Sequence, residues 1–471
     1  MNSQLFCSTL ATIALLTFAG CTVGPNYRQP KTPEPAAFEN ATSATGGDIE
    51  TNWWRGFHDS NLESLITTAA TNNLDLRLAQ ARLREARALW TAARFDFAPT
   101  ITSDNYYQNV QLSIATNPND SRRKRNSELY RVGFDSTWEL DLWGRVRRNV
   151  EAARATVESV AASRDDVLIS VRAEVAVNYL ELRGIQARLD VARRNATNQA
   201  DIVKLAEVLR DGGQGTQLDV ARARALMNAT LATIPPLEAG QDQTMDRLAV
   251  LCGQQPTALR GELISPRALP LGPTELAVGN PTTLLRRRPD VRAAERALAA
   301  ATARIGVEVA DLFPALKFVG SIGLQANHIA DLGSAGTAAW NFGPHLTWAA
   351  LDLGRVRQNI RAADARAEGS LIIYEKTVLL ALEETENSLA ALGRERQRLE
   401  FLREAERAAA EAVELARQRY RDGVTDFLSV LDAERTLLSL QEQVVESETS
   451  AATSLVAVYK SLGGAGDPAP R

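Results

Sequence analysis

Cysteine, histidine and methionine each occur only three times in 471 residues. Cys7, Cys21 and Cys252 allow one disulfide at most, so no disulfide framework can hold the fold. Cys7 lies in a segment expected to be removed, and Cys252 reads as a small buried residue near a helix end. His58, His328 and His345 include no two at metal-ligand spacing, so no metal site is expected. No glycine loop of phosphate-binding form occurs, and Gly333-Ser334-Ala335-Gly336 lacks the spacing of a nucleophile elbow. No catalytic residue, no cofactor and no enzymatic activity is expected. An excess of one charge is missing too: 53 basic against 57 acidic residues give −4, which offers nothing to nucleic acid. Glu383, Glu384 and Glu386 fall on a helical pattern and read as a solvated face.

Proline is absent from two long stretches. The first runs from Arg145 to about Arg210 and holds a single glycine, Gly184. As a helix it would measure about 100 Å at ~1.5 Å per residue, a length with no use in an ordinary globular domain. Its apolar positions Val146, Val150, Ala153, Val157 and Val160 are spaced four and three, a seam for packing against other helices. The second stretch runs from Arg355 to Asp422 and opens in the same way. Gly144-Arg145-Val146-Arg147-Arg148-Asn149-Val150 is echoed by Gly354-Arg355-Val356-Arg357-Gln358-Asn359-Ile360, 210 residues later. Length alone would suggest about three domains. The echo argues instead for two copies of one unit.

Between helical patterns the period changes to two. From Tyr130, Val132, Phe134, Ser136, Trp138 and Leu140 take one face, and Arg131, Gly133, Asp135, Thr137, Glu139 and Asp141 take the other. An apolar face over a polar one, in a run near the ~9–11 residues of a tilted membrane strand, suits a barrel wall around a wet lumen. One such strand would look the same in a soluble sandwich. Strands are expected at about 100–115, 128–141, 315–328 and 338–350, with an exposed loop from Asn117 to Arg125. The first copy then turns at Asp211-Gly212-Gly213-Gln214-Gly215 into a helix from Thr216 to Leu251, where Pro235-Pro236 should kink it or start a new piece. The second copy turns at Tyr420-Arg421-Asp422-Gly423 into a helix from about Thr425 to Leu462. Gly213 and Gly423 again differ by 210. Each copy therefore carries a helical hairpin whose turn should lie far from its strands.

The long apolar run Leu5 to Ala19 is too short to span a bilayer as a helix and reads as a signal-peptide core over residues 1–20. Phe18-Ala19-Gly20-Cys21 resembles a lipoprotein cleavage site, at which Cys21 takes a diacylglycerol and the new N-terminus is acylated. No Lys or Arg precedes the run, and the alternative is a plain signal peptide with an incidental cysteine. Thr22 after the Cys resembles an outer-membrane address. A Pro, Thr, Ala and Gly-rich linker follows, 21–50, expected to hold little structure of its own. Trp53-Trp54 reads as packing. The remaining divisions are a first repeat at 51–255, a Pro/Gly-rich connector at 256–281, a second repeat at 282–464 and a flexible tail at 465–471.

Several segments together resemble one family. Cys21 to Tyr27, Leu284-Leu-Arg-Arg-Arg-Pro-Asp-Val291, Ala303-Arg-Ile-Gly306, Asp311-Leu-Phe-Pro314, Leu351-Asp-Leu-Gly-Arg-Val356 and Tyr459 to Gly464 look like the lipoprotein branch of the TolC-like outer-membrane efflux proteins. The resemblance covers essentially the whole mature chain. It implies a mainly α fold with a transmembrane β part: a homotrimer sharing one β-barrel, four strands from each protomer, above a periplasmic cylinder of long α-helical hairpins. It implies the exit duct of a tripartite pump in the outer membrane, with a periplasmic adaptor and an inner-membrane transporter of the RND type as partners. A duct for exported polypeptides or for metal ions is the rival within the class; only Met227 and Met245 remain after Met1 to make a Met-rich lumen for copper or silver. A structural coiled-coil lipoprotein of the periplasm is the rival outside it, and leaves the four strands unexplained. In the resembled family the hairpin tips form the periplasmic gate, with acidic rings. On that match Asp432 falls on a ring position and Ser429 occupies the other. Tyr420, Arg421, Asp422 and Asp426, with Arg210, Asp211 and Asp219 at the first-half tip, are the further gate candidates. Helix capping is the alternative role for these acids.

Overall fold

The computed structural model of the chain describes residues 22–31, 37–40, 44–45, 52–116, 118, 121–122, 126–273 and 275–464. The expected signal peptide, Cys21 and the tail lie outside the described residues, as does part of the linker. The described residues gather into two compact units. One takes residues up to Lys31, Arg82–Ala161 and Ala293–Glu375; the other takes Thr32–Ala81, Ala162–Arg292 and the chain from Lys376.

The first unit holds a four-stranded antiparallel sheet of β1 (Thr100–Gln111), β2 (Asn126–Leu140), β3 (Ala315–Ala326) and β4 (Ala338–Thr347), in that order. Register aligns the period-two patterns of all four strands. Ile101 stands opposite Ser136, Ser136 opposite Gly320 and Gly320 opposite Phe342. Two residues along, Phe134 faces Ile322, which faces Trp340. This face carries large apolar side chains left open: Ile322 is 65% exposed, Trp340 69% and Phe342 77%. The other face is tied by polar bonds. Arg131 donates to Asp104 Oδ2 (3.0 Å) on β1, to Asp135 and to Ser321 Oγ (2.9 Å) on β3. At the strand ends three tryptophans donate their ring N–H to backbone carbonyls, Trp138 to Phe97, Trp143 to Pro314 and Trp348 to Leu312, each at 3.0 Å. An exposed apolar band ending in tryptophans is the surface a membrane strand presents to lipid.

The same unit pins the start of the described chain. Val23 N–H donates to the Trp143 carbonyl at 3.1 Å. Buried Arg148 donates to the carbonyls of Val23 and Gly24 and to Asn26 Oδ1. Tyr27 donates to Glu295 at 2.9 Å beneath the Arg296 guanidinium; burial first, then the Glu295 charge, pushes its phenol well above the usual range.

Helix α3 (Arg145–Asp211) and helix α6 (Leu353–Arg421) each contribute to both units, as do α2 (Leu74–Phe95) and α5 (Pro289–Ala310). The second unit adds α1 (Ser60–Asn72), α4 (Gln217–Leu251) and α7 (Phe427–Ser461). Its core joins Trp53, Trp54 and Phe57 to Leu62 and Ile66 of α1, Val175, Tyr179 and Leu180 of α3, Met245 and Leu248 of α4, Leu389 of α6 and Leu455 and Tyr459 of α7. The Trp53 ring stacks on Tyr459 at 5.2 Å, so the tandem tryptophans are packing residues. Cys252, fully buried at the end of α4, lies against the Leu65 carbonyl, and burial raises its thiol to about 11.

Two expectations change and a third is narrowed. Of the two outcomes expected at Pro235-Pro236, the new piece does not start; α4 is one helix through both. Each proline lacks the N–H that would bond four residues back, but Leu231 and Ala232 are exposed, so water can satisfy their carbonyls. The linker is not wholly structureless: Ala44–Thr45 pairs in parallel with Leu276–Ala277 of the connector. Nor are the acids of α6 merely solvated. Glu384 pairs with Arg288 at 2.7 Å, and Glu386 accepts from the backbone N–H of Glu39 and Asn40.

Candidate functional site

Two helix turns meet in the second unit. An apolar cluster of Ile202, Val203 and Ala206 from α3, Val220 and Ala223 from α4, and Phe427 and Leu431 from α7, with Tyr420 of α6 against it, packs both hairpin tips together. The turns are built alike. Gln214 N–H bonds the Leu209 carbonyl (2.8 Å) and Val424 N–H bonds the Arg419 carbonyl (2.9 Å), each closing its helix five residues back. Both turns need a left-handed residue, and Gly213 (φ 77°) and Gly423 (φ 73°) supply it without a Cβ penalty.

The returning helices start with matched caps of opposite layout. On α4 the cap is Thr216, and Asp219 reaches back to its N–H at 2.9 Å. On α7 the cap is Asp426, which accepts from Ser429 N–H (3.1 Å) and Ser429 Oγ (2.6 Å). Those two bonds, with the Arg222 charge adding to them, hold the Asp426 carboxyl below its usual range. Tyr420 tilts against Phe427 at 5.2 Å, and its phenol is raised by burial and by the Asp219 charge. A cleft of about 280 Å³ beside it is lined by Asp201, Leu205, Arg417, Tyr420, Arg421 and Phe427 among others.

Further along, each hairpin carries a cross-helix ion pair. Arg417 of α6 donates to Glu434 of α7, Nε to Oε1 at 2.7 Å. Arg224 of α4 pairs with Glu207 of α3. Residues 207 and 417 are 210 apart, as are 224 and 434, so these are the same positions in the two copies with the charges exchanged. Burial differs. The Glu434 side chain is 9% exposed against 31% for Arg417, whereas Glu207 and Arg224 are 32% and 56% exposed. Desolvation raises the Glu434 carboxyl, against the pull of Arg417.

Apart from Tyr420, which packs against the tip cluster, the gate candidates fall into three kinds. Asp219 and Asp426 cap helices. Arg210 is tied to Asp211 (2.7 Å) and to Gln217 (3.0 Å). Asp422, Arg421 and Asp432 are exposed; Arg421 donates to the Arg417 carbonyl at 3.3 Å, and the Asp432 carboxylate lies 4.0 Å from Arg435. Glu207, Arg224, Arg417 and Glu434 were missed, although aligning the copies at the 210-residue offset would have shown opposite charges at matched positions. Among the described residues no group of three or more His, Cys, Asp and Glu is placed to hold a metal, and no helix is long and apolar enough to cross a membrane.

An open sheet with one lipid-suited face, on a duplicated scaffold of long helical hairpins, defines an outer-membrane channel protomer built of both β-strands and helices. The sequence profile of the outer membrane efflux proteins matches residues 65–254 and 280–464. Nodulation protein T of Rhizobium leguminosarum bv. trifolii is 32% identical over 92% of each chain. Outer membrane protein OprJ of Pseudomonas aeruginosa is 31% identical over 97% of this chain and 95% of its own. Among solved structures, the outer-membrane channel OprN superposes with a TM-score of 0.89 at 42% identity, covering 94% of this chain and 99% of that one. The chain belongs to the outer membrane efflux protein family; it is an efflux channel of the outer membrane, and such proteins are channels rather than enzymes.

Proposed function

We propose that three copies assemble into the exit duct of a tripartite pump, passing drugs or other small molecules outward through a shared barrel. The observation that carries this is the sheet: β1 and β4 each pair on one side only among the described residues, and an open edge is not tolerated in lipid. Rotational association closes both edges at once. A periplasmic adaptor and an inner-membrane pump of the RND type would feed the duct. Relatives named for toluene and solvent efflux in Pseudomonas putida support small apolar cargo. In this reading residues 51–255 and 282–464 are the two repeats, joined by 256–281, and Cys21 is the lipidated first residue of the mature chain.

The hairpin tips are the periplasmic gate. Tyr420, Arg421, Asp422, Asp426 and Asp432 of the second hairpin and Arg210, Asp211 and Asp219 of the first surround the mouth. Symmetry triples every charge at the axis, and facing carboxylates repel. Their closure needs cationic or phenolic partners, for which Arg421 and Tyr420 stand ready. Planar-bilayer conductance tests it. Replacing Asp432 and Asp426 with Ala should change cation selectivity or block by multivalent cations, and replacing Tyr420 or Arg421 should raise the resting conductance. If all four leave conductance, selectivity and block unchanged, the gate is built elsewhere.

A further inference from the structure

The apolar face of the sheet is not evenly filled. One cross-strand row runs Ile101, Ser136, Gly320, Phe342, with small residues on the two middle strands. The row above sets Phe134, Ile322 and Trp340 side by side, and the row below sets Trp138 beside Phe318. The missing side chains leave a groove of about 630 Å³ lined by Ile101, Phe134, Ser136, Gly320, Ile322 and the stacked pair Trp340 and Phe342. It is shallow and open to the surroundings of the sheet, and its lining is almost wholly apolar.

The start of the described chain is fixed at the foot of the same sheet. Thr22 lies so close to Gly144 that a Cβ there would come within 2.9 Å of its Cα. The Val23 bond to Trp143 and the Arg148 bonds to Val23, Gly24 and Asn26 hold this segment against the turn that follows β2. Cys21 itself is outside the described residues, but one trans peptide sets its Cα ~3.8 Å from that of Thr22. Ser136 stands four residues above the end of β2, a rise of ~13 Å. One acyl chain reaches half the ~30 Å hydrocarbon core, or ~15 Å.

We propose that the groove floored by Ser136 and Gly320 is the seat of an acyl chain carried by Cys21 of the same protomer. This rests on the reading of Cys21 as the lipidated residue. Tethering makes the contact intramolecular, so the anchor's own chain stays beside the groove while bilayer lipids exchange past it. The surrounding bilayer is as apolar as the groove, so the attraction is one of fit: the chain fills the space above Ser136 and Gly320 and makes dispersion contacts with Phe134, Ile322, Trp340 and Phe342. The anchor then acts on the barrel wall as well as on the bilayer, joining the N-terminal segment to all four strands.

Photocrosslinking tests this on the full-length protein in membranes. Cells are fed a fatty acid bearing a diazirine near its methyl end, the purified protein is irradiated, and crosslinked peptides are mapped by mass spectrometry. Expected are label on Cys21 and crosslinks concentrated on Phe134, Ile322, Trp340 and Phe342. They should vanish in a Cys21→Ser chain exported behind an ordinary cleavable signal peptide. Gly320→Leu fills the floor without backbone strain, since a Cβ there meets only Phe342 and Asn341 at 3.6 and 3.7 Å. It should keep the label on Cys21 and lose the groove crosslinks; Ser136→Leu does the same from the adjacent strand. Groove crosslinks that persist in Cys21→Ser identify a bilayer lipid as occupant and overturn the proposal. Crosslinks spread evenly over the apolar face of a labelled wild type overturn it too. A wild type without label on Cys21 overturns the lipidation reading itself, a separate and recognisable failure.

Discussion

Removing Arg417 should loosen the second hairpin far more than removing Arg224 loosens the first. Both arginines brace equivalent helix positions, but they leave different partners behind. In Arg417→Met the Glu434 carboxylate, 9% exposed, loses its counter-charge inside the tip. Breaking a fully buried pair costs ~3–5 kcal/mol; with Arg417 itself 31% exposed, a discounted cost of about 2 kcal/mol is expected. In Arg224→Met the remaining Glu207 is 32% exposed and can take up water, so the loss is that of a surface pair, ~0.2–1 kcal/mol. Hydrogen exchange of the purified protein reads the difference. About 2 kcal/mol is roughly a thirtyfold loss of protection, and it should be confined to the α6 and α7 amides around Glu434. Adding Glu434→Gln to Arg417→Met removes the stranded charge and should recover most of the protection; the reversed pair Arg417→Glu with Glu434→Arg should recover part. If Arg417→Met and Arg224→Met lose protection equally, or if Glu434→Gln gives no rescue, burial of this pair is not what stabilises the tip.

Three further outcomes are expected. Trp53→Ala, which empties a position 2% exposed against Tyr459, should cost ~3–5 kcal/mol in denaturant unfolding. The depressed Asp426 carboxyl means that the folded chain holds fewer protons there than the unfolded chain, so its stabilisation is present above the ordinary carboxylate range and is lost as pH falls through the depressed value. Protection of the Ser429 amide should fall with acid accordingly, while Asp426→Asn keeps a cap and flattens that dependence. Detergent-solubilised protein should behave as a trimer in light scattering; a monodisperse monomer with intact strand signal would refute both shared barrel and duct.

Much of the architecture was legible because two periods differ so plainly. The four-and-three seam from Val146 reads as α3, and the alternation from Tyr130 reads as β2. The 210-residue echo then placed Gly213 and Gly423 in matching turns. What escaped depends on proximity that no period encodes. Nothing local to Glu384 or Glu386 shows that Arg288 and the Asn40 backbone come to meet them. Arg417 and Glu434 stand 17 residues apart across a turn, and their burial follows from the packing of four helices. At Pro235-Pro236 the helix continues because the carbonyls left without a donor lie on an exposed stretch. At the tip, the capping role of Asp219 and Asp426 was legible as an alternative; the opposite layout of the two caps was not.

The exchanged charges of the two braces bear on how a duplicated chain finds its own partners. The hairpins share length, turn and cap chemistry, so little in their outline tells one from the other. Suppose α3 docked against α7 in place of α4: Glu207 would face Glu434. The complementary error would set Arg417 of α6 against Arg224 of α4. Either way like meets like, and one of the stranded charges would be buried. A duplication that had kept the same sign at both sites would offer no such discrimination. The reversal gives two hairpins of matching outline a way to fold without trading helices.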